Sequence, residues 1–329
     1  MHAVRRILGG CMLVSLSLAM LTPTDDAQGA PPPTTAIIIT EQASEQIIVM
    51  DPRKDWASPA AQRWAWQPGP ESDLNAPAEA WGHPDDARLR TDRRDGEQYI
   101  LVSDSDGLLA KVPYPDGGAV AWSTNGTRAA GPHGIELLPD GNIAAAASLG
   151  SWVRIYTASQ GRTSDTFAQA RLPGAHQVYW DEPKQVLWAL GDDHLVSYRI
   201  GGTPAEPTIT EVSRHALPTR GGHDLQPVSG DPDRLWLTTI WGVHQFVEST
   251  EQFDTRYPRY REIYTPNVKS IATDIHSGTV LRTVIQPGVN PCAHCTDTVD
   301  LFVGSKGVKA LTLPDGQIYR ARWFDDASN

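Results

Sequence analysis

A unit of roughly 40 to 50 residues recurs along this chain, and its recurrence constrains the fold more than any other feature of the sequence. In each of four copies a histidine precedes a short strand, a polar turn and a second, more apolar strand. The histidines are His83, His133, His176 and His223, at intervals of 50, 43 and 47 residues. The copy from Val268 has Lys269 in place of the histidine, and the copy at 36–51 lacks one.

Six copies, each with room for four short strands, predict an all-β fold: a six-bladed β-propeller with four antiparallel strands per blade. In the third copy the pattern predicts strands at 132–138, 142–148, 152–157 and 166–172. The segment QIYRARWF at 317–324 is predicted to complete the first blade and close the ring. Pro and Gly interrupt the chain too often for long helices.

The first 29 residues are predicted to be a secretory signal peptide. Arg5 and Arg6 precede an apolar run over 7–21, and Ala27-Gln28-Gly29 offers small residues for cleavage. The run is too short and wrongly flanked to span a membrane. Residues 30–35 are then a proline-rich lead-in, and a single propeller domain is expected over 36–329. The mature protein is expected to be secreted and extracellular.

The formal net charge of the chain is −11. The signal region contributes no net charge, so the mature chain is acidic and is not expected to bind nucleic acid or anionic membrane surfaces. A small-molecule or carbohydrate ligand is compatible with this charge. The protein is expected to be a monomer.

The chain has three cysteines, and one of them, Cys11, lies in the predicted signal peptide. The other two, Cys292 and Cys295, are in the sequence CAHC, and an oxidising compartment favours a disulfide between them. The alternative is a metal site of the two cysteines with His294.

The repeated histidines are predicted to surround the mouth of the propeller channel. The first strand of each blade lines the channel, so a residue just before it lies close to the axis. Imidazoles from neighbouring blades would converge there, and imidazole is a common metal ligand. His133, His176 and His223, with His83, are therefore predicted to bind a divalent ion such as Mn, Zn or Ca. The alternative is that these histidines only cap the backbone of neighbouring blades.

Polar residues three positions after the histidines are predicted to continue the site into the channel. They include Glu136 and Tyr179. If the protein is an enzyme, the pattern favours carbohydrate-active lyase chemistry, in which the metal neutralises a uronate carboxylate and Tyr179 or Lys269 takes the α-proton. Glu136 is the alternative base or orients a neighbour. A non-catalytic extracellular binding or scaffold propeller fits the fold equally well.

The phrases ITEQASEQIIVMD, PHGIELLPDGNIAAAAS and GAHQVYWDEPKQVLWALG resemble a family of secreted bacterial six-bladed propellers of unknown function. More distantly, PHGIELLPDGNI is similar to NHL-type and gluconolactonase-type propellers. Gluconolactonase-type enzymes hold a divalent metal at the channel mouth with Glu, Asn and Asp, which implies a lactonase-type hydrolase as a further alternative. In this chain histidines occupy those positions. Oligogalacturonate lyase propellers use several histidines and a manganese ion, which implies metal ligation by His133, His176 and His223.

Overall fold

The computed structural model of the protein describes residue 2 and residues 35–286, 292–305 and 307–326. The predicted signal peptide, apart from residue 2, and most of the lead-in lie outside the described residues. The described chain forms six sheets of four antiparallel strands. The prediction of a six-bladed propeller is therefore confirmed.

The strands of each blade follow one another from the channel outward. Blade 1 consists of β24 (Ile318–Trp323), β1 (Ile37–Glu41), β2 (Gln46–Met50) and β3 (Gln62–Trp66). Blade 2 consists of β4 (Pro84–Thr91), β5 (Gln98–Asp104), β6 (Leu108–Pro113) and β7 (Trp122–Asn125). Blade 3 consists of β8 (Pro132–Leu137), β9 (Ile143–Ala147), β10 (Trp152–Tyr156) and β11 (Phe167–Arg171).

The other three blades follow the same order. Blade 4 consists of β12 (Gln177–Asp181), β13 (Val186–Leu190), β14 (His194–Thr203) and β15 (Glu206–Ala216). Blade 5 consists of β16 (Gly222–Val228), β17 (Asp231–Thr239), β18 (Gly242–Val247) and β19 (Gln252–Asp254). Blade 6 consists of β20 (Val268–Thr273), β21 (Val280–Val284), β22 (Thr298–Val303) and β23 (Gly307–Thr312).

Helical structure in the described chain is confined to short segments. They are α1 (Tyr260–Ile263) and 3-10 turns at Pro59–Ala61, Pro70–Ser72, Ala78–Ala80 and Ala158–Gln160. Within the part of the chain that the structure describes, no helix is long and apolar enough to cross a membrane.

The ring closes as the sequence predicts. β24, from the C-terminal end of the chain, pairs antiparallel with β1, with Ile37 opposite Trp323. In blade 3 the strand boundaries lie within one residue of those predicted. Closure inside one sheet ties the two ends of the domain together.

Alternate residues of the second strand of blade 3 pack against different neighbouring blades, as the period of two in a strand requires. Ala145 of β9 lies in a buried cluster with Leu101 of blade 2. Ala144 and Ala146 lie in another cluster with Val178 of blade 4. The run IAAAA in β9 is therefore buried on both faces, and its small side chains allow the blades to approach closely.

Candidate functional site

At the start of each inner strand one side chain points into the mouth of the channel. In most blades it lies in a β-bulge, which re-aims a residue out of the regular alternation. The strand pairing shifts register across Asp85, His133, Lys269 and Tyr319. We name these residues the mouth ring. Each blade contributes one member, which lies two positions before a buried apolar residue. For blades 1 to 6 the members are Tyr319, Asp85, His133, His176, His223 and Lys269. The buried apolar residues are Ala321, Ala87, Ile135, Val178, Leu225 and Ile271.

The mouth ring corrects the predicted register in blade 2. The sequence pattern aligned His83 with the other histidines, but Asp85 occupies the equivalent position because the bulge lies between Pro84 and Asp86. His83 is at the rim, with 55% of its side chain exposed, and its Nδ1 lies 2.8 Å from Asp106 Oδ2. His133, His176, His223 and Lys269 do occupy the predicted position.

The ring side chains are in mutual contact. The ring centroids of His133 and His176 are 4.2 Å apart, and those of His176 and His223 are 4.9 Å apart. The Tyr319 hydroxyl lies 3.4 Å from His176 Nε2 and accepts a hydrogen bond of 3.3 Å from Lys269 Nζ. Tyr319 thus connects the lysine to the histidines.

Several polar atoms of the mouth ring are left free to meet a ligand. His133 Nδ1 lies 2.7 Å from the carbonyl of Gly131, to which it donates, so Nε2 is an acceptor; it is 3.8 Å from Asp85 Oδ1. Within the described chain, Asp85 Oδ2 and His223 Nδ1 are buried without a hydrogen-bond partner. Buried polar atoms are usually paired, so these two atoms can take a partner that the described residues do not supply.

Below the mouth ring, the channel is filled by an ion-pair network that we name the channel plug. Its residues are Arg88, Arg90, Arg320 and Arg322 with Asp86, Glu136 and Asp224. Asp86 accepts hydrogen bonds from Arg88 Nε (3.1 Å), Arg322 Nε (2.6 Å) and Gln177 Nε2 (3.0 Å). Asp224 accepts from Arg322 Nη2 at 2.9 Å.

The top of the channel plug gives the mouth a positive floor. Arg320, with 1% of its side chain exposed, donates to the carbonyls of His133 and His223, each at 3.1 Å. Its nearest carboxylate in the plug is Asp86, with Nη1 3.6 Å from Oδ1. Arg320 holds two strands of the ring in place and adds a fixed charge beneath them.

Lys269 and Asp85 flank Tyr319 in the mouth ring, and their pKa values are shifted in opposite directions. Burial, with the charge of Arg320, lowers the pKa of Lys269 to about 7, although Asp85 acts against this shift. Burial, with the neighbouring carboxyl of Asp104, raises the pKa of Asp85 well above 3.8. Environments that favour an unprotonated lysine beside a protonated carboxyl are typical of acid–base sites.

The three ring histidines are held neutral. Burial is the main cause: it lowers the pKa of His133 to about 3 and those of His176 and His223 well below 6.5. Lys269 and Arg320 lower all three further. Neutral imidazoles can donate or accept hydrogen bonds without adding charge to the mouth.

His176→Gln is expected to remove a cause of acid destabilisation. Because the unfolded chain binds a proton at His176 near pH 6.5 and the folded chain does not, His176 costs stability as the pH falls. For one group the loss is about 2 kcal/mol between pH 7 and pH 5. In urea unfolding at both pH values, the free energy of unfolding of wild type should therefore fall by about that much more than that of the variant. Equal losses in the two proteins would contradict a lowered pKa, since the other buried groups are common to both.

A cavity of about 450 Å³ opens above the mouth ring. It is lined by the ring residues Asp85, His133 and Tyr319, by His83 at the rim and by residues 292–294. Cys292 and Cys295 form a disulfide with an S–S distance of 2.05 Å. Lys269 is 4% exposed and is connected to the cavity by its hydrogen bond to the hydroxyl of Tyr319.

Two predicted catalytic residues lie away from this cavity. Glu136 is in the channel plug, where its carboxylate accepts from Arg88 and from two nitrogens of Arg90 at 2.7–2.9 Å. Tyr179 lines a separate cavity of about 290 Å³ at the far ends of β12 and β16, with Asp181 and Glu248. A residue three positions along the strand from the mouth is roughly 10 Å deeper, so neither side chain reaches the histidines.

The geometry of the predicted metal ligands is looser than that of a formed metal centre. Among the described residues, no group of three or more His, Cys, Asp or Glu side chains is arranged to hold an ion. Lys269 and Arg320 also repel a cation at this position. The donor set of the mouth ring, three imidazoles and a carboxyl, is nevertheless one that divalent metals accept.

The sequence as a whole matches one protein family. The match is to a family of unknown function (DUF6528) and extends over residues 10–328. The chain belongs to this family. The predicted resemblance to propellers of unknown function is therefore confirmed, and DUF6528 membership brings no activity with it. No curated protein matches the chain.

Solved structures similar to this DUF6528 protein share its fold. A protein of unknown function from Bacteroides caccae is 12% identical with a TM-score of 0.54, and the match covers 88% of this chain and 98% of that one. A streptogramin B lyase is 15% identical with a TM-score of 0.51, covering 89% and 85%. Virginiamycin B lyase from Staphylococcus aureus is 14% identical with a TM-score of 0.50, covering 87% and 85%. At these identities the likeness establishes the propeller alone.

Proposed function

We propose that the mouth ring is an acid–base site that eliminates a leaving group from a small carboxylate-bearing substrate, of which a uronate sugar is the best example. The observation that carries this proposal is the pair of ring residues on either side of Tyr319. Lys269 has a pKa of about 7 and Asp85 a raised pKa. The lowered pKa of Lys269 favours a neutral amine that can act as a base, and the raised pKa of Asp85 favours a protonated carboxyl on the other side of Tyr319.

The electrostatics of the mouth favour an anionic substrate despite the acidic chain. Arg320 supplies a fixed positive charge below the ring, and Lys269 supplies a second one when protonated. In a site sheltered from water these charges act strongly on a carboxylate above them. They also stabilise the negative charge that develops when the adjacent carbon loses its proton.

The proposed elimination moves two protons. The Tyr319 hydroxyl, which lines the cavity, takes the proton from the carbon next to the substrate carboxylate while its own proton passes to neutral Lys269 Nζ. The electrons of the C–H bond form a carbon–carbon double bond, and the bond to the leaving oxygen breaks. Asp85 gives that oxygen its proton. Transfer from Lys269 back to Asp85 restores the starting state.

The neutral histidines have a positioning role in this proposal. His133 lines the cavity with an accepting Nε2, and it is suited to a hydroxyl of the substrate. His176 lies 3.4 Å from the Tyr319 hydroxyl and helps to orient it. Lyase chemistry also occurs on the propeller of the streptogramin B lyase, a likeness of fold that is compatible with the proposal.

A second candidate is a metal-dependent reaction at the same place, as the sequence predicts. It is favoured by the unpaired Asp85 Oδ2 and His223 Nδ1, which are both atoms that ligate metals. His133, His176, His223 and Asp85 would hold the ion. When bound, it would supply a Lewis acid for the substrate carboxylate.

The test uses the full mature chain and uronate-containing oligosaccharides. An unsaturated uronate product, seen by its new ultraviolet absorbance and by mass, is expected. Tyr319→Phe should lower the rate at least about 100-fold, whereas Tyr198→Phe, which removes a buried hydroxyl between blades, should leave it unchanged. Chelator should have no effect. Loss of activity with chelator would favour the metal candidate, and saturable binding without product would indicate a binding protein instead.

The protein is proposed to act outside the cell. The predicted signal peptide and the disulfide of residues 292 and 295 support this location, because disulfides persist in oxidising compartments. Fractionation of the native host with and without residues 1–29 tests it, and retention of the intact chain in the cytoplasm would contradict it.

A further inference from the structure

The disulfide loop of residues 292–295 stands over the mouth ring. Cys292, Ala293 and His294 line the same cavity as Asp85 and Tyr319. The loop connects β21 and β22 of blade 6, the blade that contributes Lys269. Because the disulfide closes a loop of only four residues, His294 can adopt few backbone conformations.

The loop is hydrogen-bonded next to the ring residue Tyr319, and on its other side it contacts blade 1. Thr296 and Ile318, the residue before Tyr319, exchange two backbone hydrogen bonds of 3.0 and 2.8 Å. On the other side, both cysteine Sγ atoms lie 3.4 Å from Gln42 Oε1 in blade 1. Gln42 Nε2 in turn donates to the carbonyl of Pro84, which precedes Asp85.

The pKa of His294 depends on a charge of the mouth ring. Burial and the charge of Lys269 lower its pKa. The pKa values of His133 and His223 are lowered in turn by His294. These shifts accompany the position of His294 in the lining of the same cavity as His133.

We propose that His294 is a ligand-contacting residue of the mouth and that the Cys292–Cys295 disulfide holds it there. A neutral imidazole above the ring donates or accepts one hydrogen bond with a hydroxyl or carboxylate of a uronate. The disulfide closes the loop that carries His294, so reduction releases the imidazole from the cavity and weakens binding. This inference rests on the proposed uronate site and adds its upper wall.

The experiment measures galacturonate binding by calorimetry to the full mature chain, with and without reductant. His294→Ala should weaken binding about tenfold, the effect of one lost hydrogen bond. Cys292→Ser with Cys295→Ser should do the same. Reductant should weaken binding to wild type and leave both variants unchanged. His276→Ala, in the exposed β20–β21 turn at the far end of the channel, is the matched control and should bind as wild type does.

The outcomes separate this inference from the proposed function. If wild type binds galacturonate and His294→Ala binds it within about twofold, the role of His294 is wrong and the uronate site stands. If reductant weakens His294→Ala as much as wild type, the disulfide does not act through the imidazole. If wild type does not bind, both proposals fail. Melting curves of each variant confirm that loss of binding is not loss of fold.

Discussion

Asp86→Ala is expected to destabilise the propeller by about 4 kcal/mol or to prevent its folding. Asp86 is fully buried and accepts from Arg88, Arg322 and Gln177. Removing its carboxylate leaves the guanidinium groups around it close to one another without their shared counter-charge. Breaking a buried ion pair on one side is costly because the remaining charge stays away from water. The inner strands of blades 1, 2 and 4 are joined through this one side chain.

Urea unfolding of purified protein measures the effect, with Arg214→Ala as the matched control. Arg214 pairs with Glu211 on β15, where both side chains are about one-third or more exposed, and its loss should change stability by less than about 0.5 kcal/mol. Asp86→Asn should lie between the two, since it keeps the shape and the hydrogen-bond acceptor but not the charge. An Asp86→Ala variant as stable as wild type would show that the channel plug does not join the blades.

The repeat was sufficient to predict the fold because each blade buries its strands against its neighbours in the same way. The phrase PHGIELLPDGNIAAAAS already contains an inner strand, its turn and a second strand buried on both faces. Closure through β24 was predictable from the apolar alternation of QIYRARWF. Four of the six mouth-ring residues followed from the same register, namely His133, His176, His223 and Lys269.

Asp85 and Tyr319 were missed because bulges change which residue points inward. Aligning on the histidine of GHPDD placed His83 at the ring, whereas aligning on the buried residue two positions later gives Asp85 before Ala87. The channel plug was also missed, although the sequence carries its signal. Arginines alternate in RLR at 88–90 and in RAR at 320–322, and a period of two places them on one face of an inner strand.

Lys269→Met is expected to reduce the proposed elimination by at least about 100-fold, because it removes the group that accepts the Tyr319 proton. The rate of wild type should fall as the pH drops through about 7, since Lys269 becomes protonated there. The raised pKa of Asp85 widens the pH range over which it keeps the proton that it gives to the leaving group. The profile of kcat/KM against pH is therefore expected to have an acid limb near pH 7.

The stability of Lys269→Met distinguishes a chemical role from a structural one. The lowered pKa means that a protonated Lys269 disfavours the folded state, so below about pH 7 the methionine variant should melt at the same temperature as wild type or higher. Lys269→Arg keeps the charge but stays protonated, and it should also be inactive. If Lys269→Met retained activity within about tenfold of wild type, or if both variants kept the acid limb near pH 7, Lys269 would not be the base. If both variants are stable and inactive, and any residual rate lacks the acid limb, Lys269 is the group that accepts the Tyr319 proton.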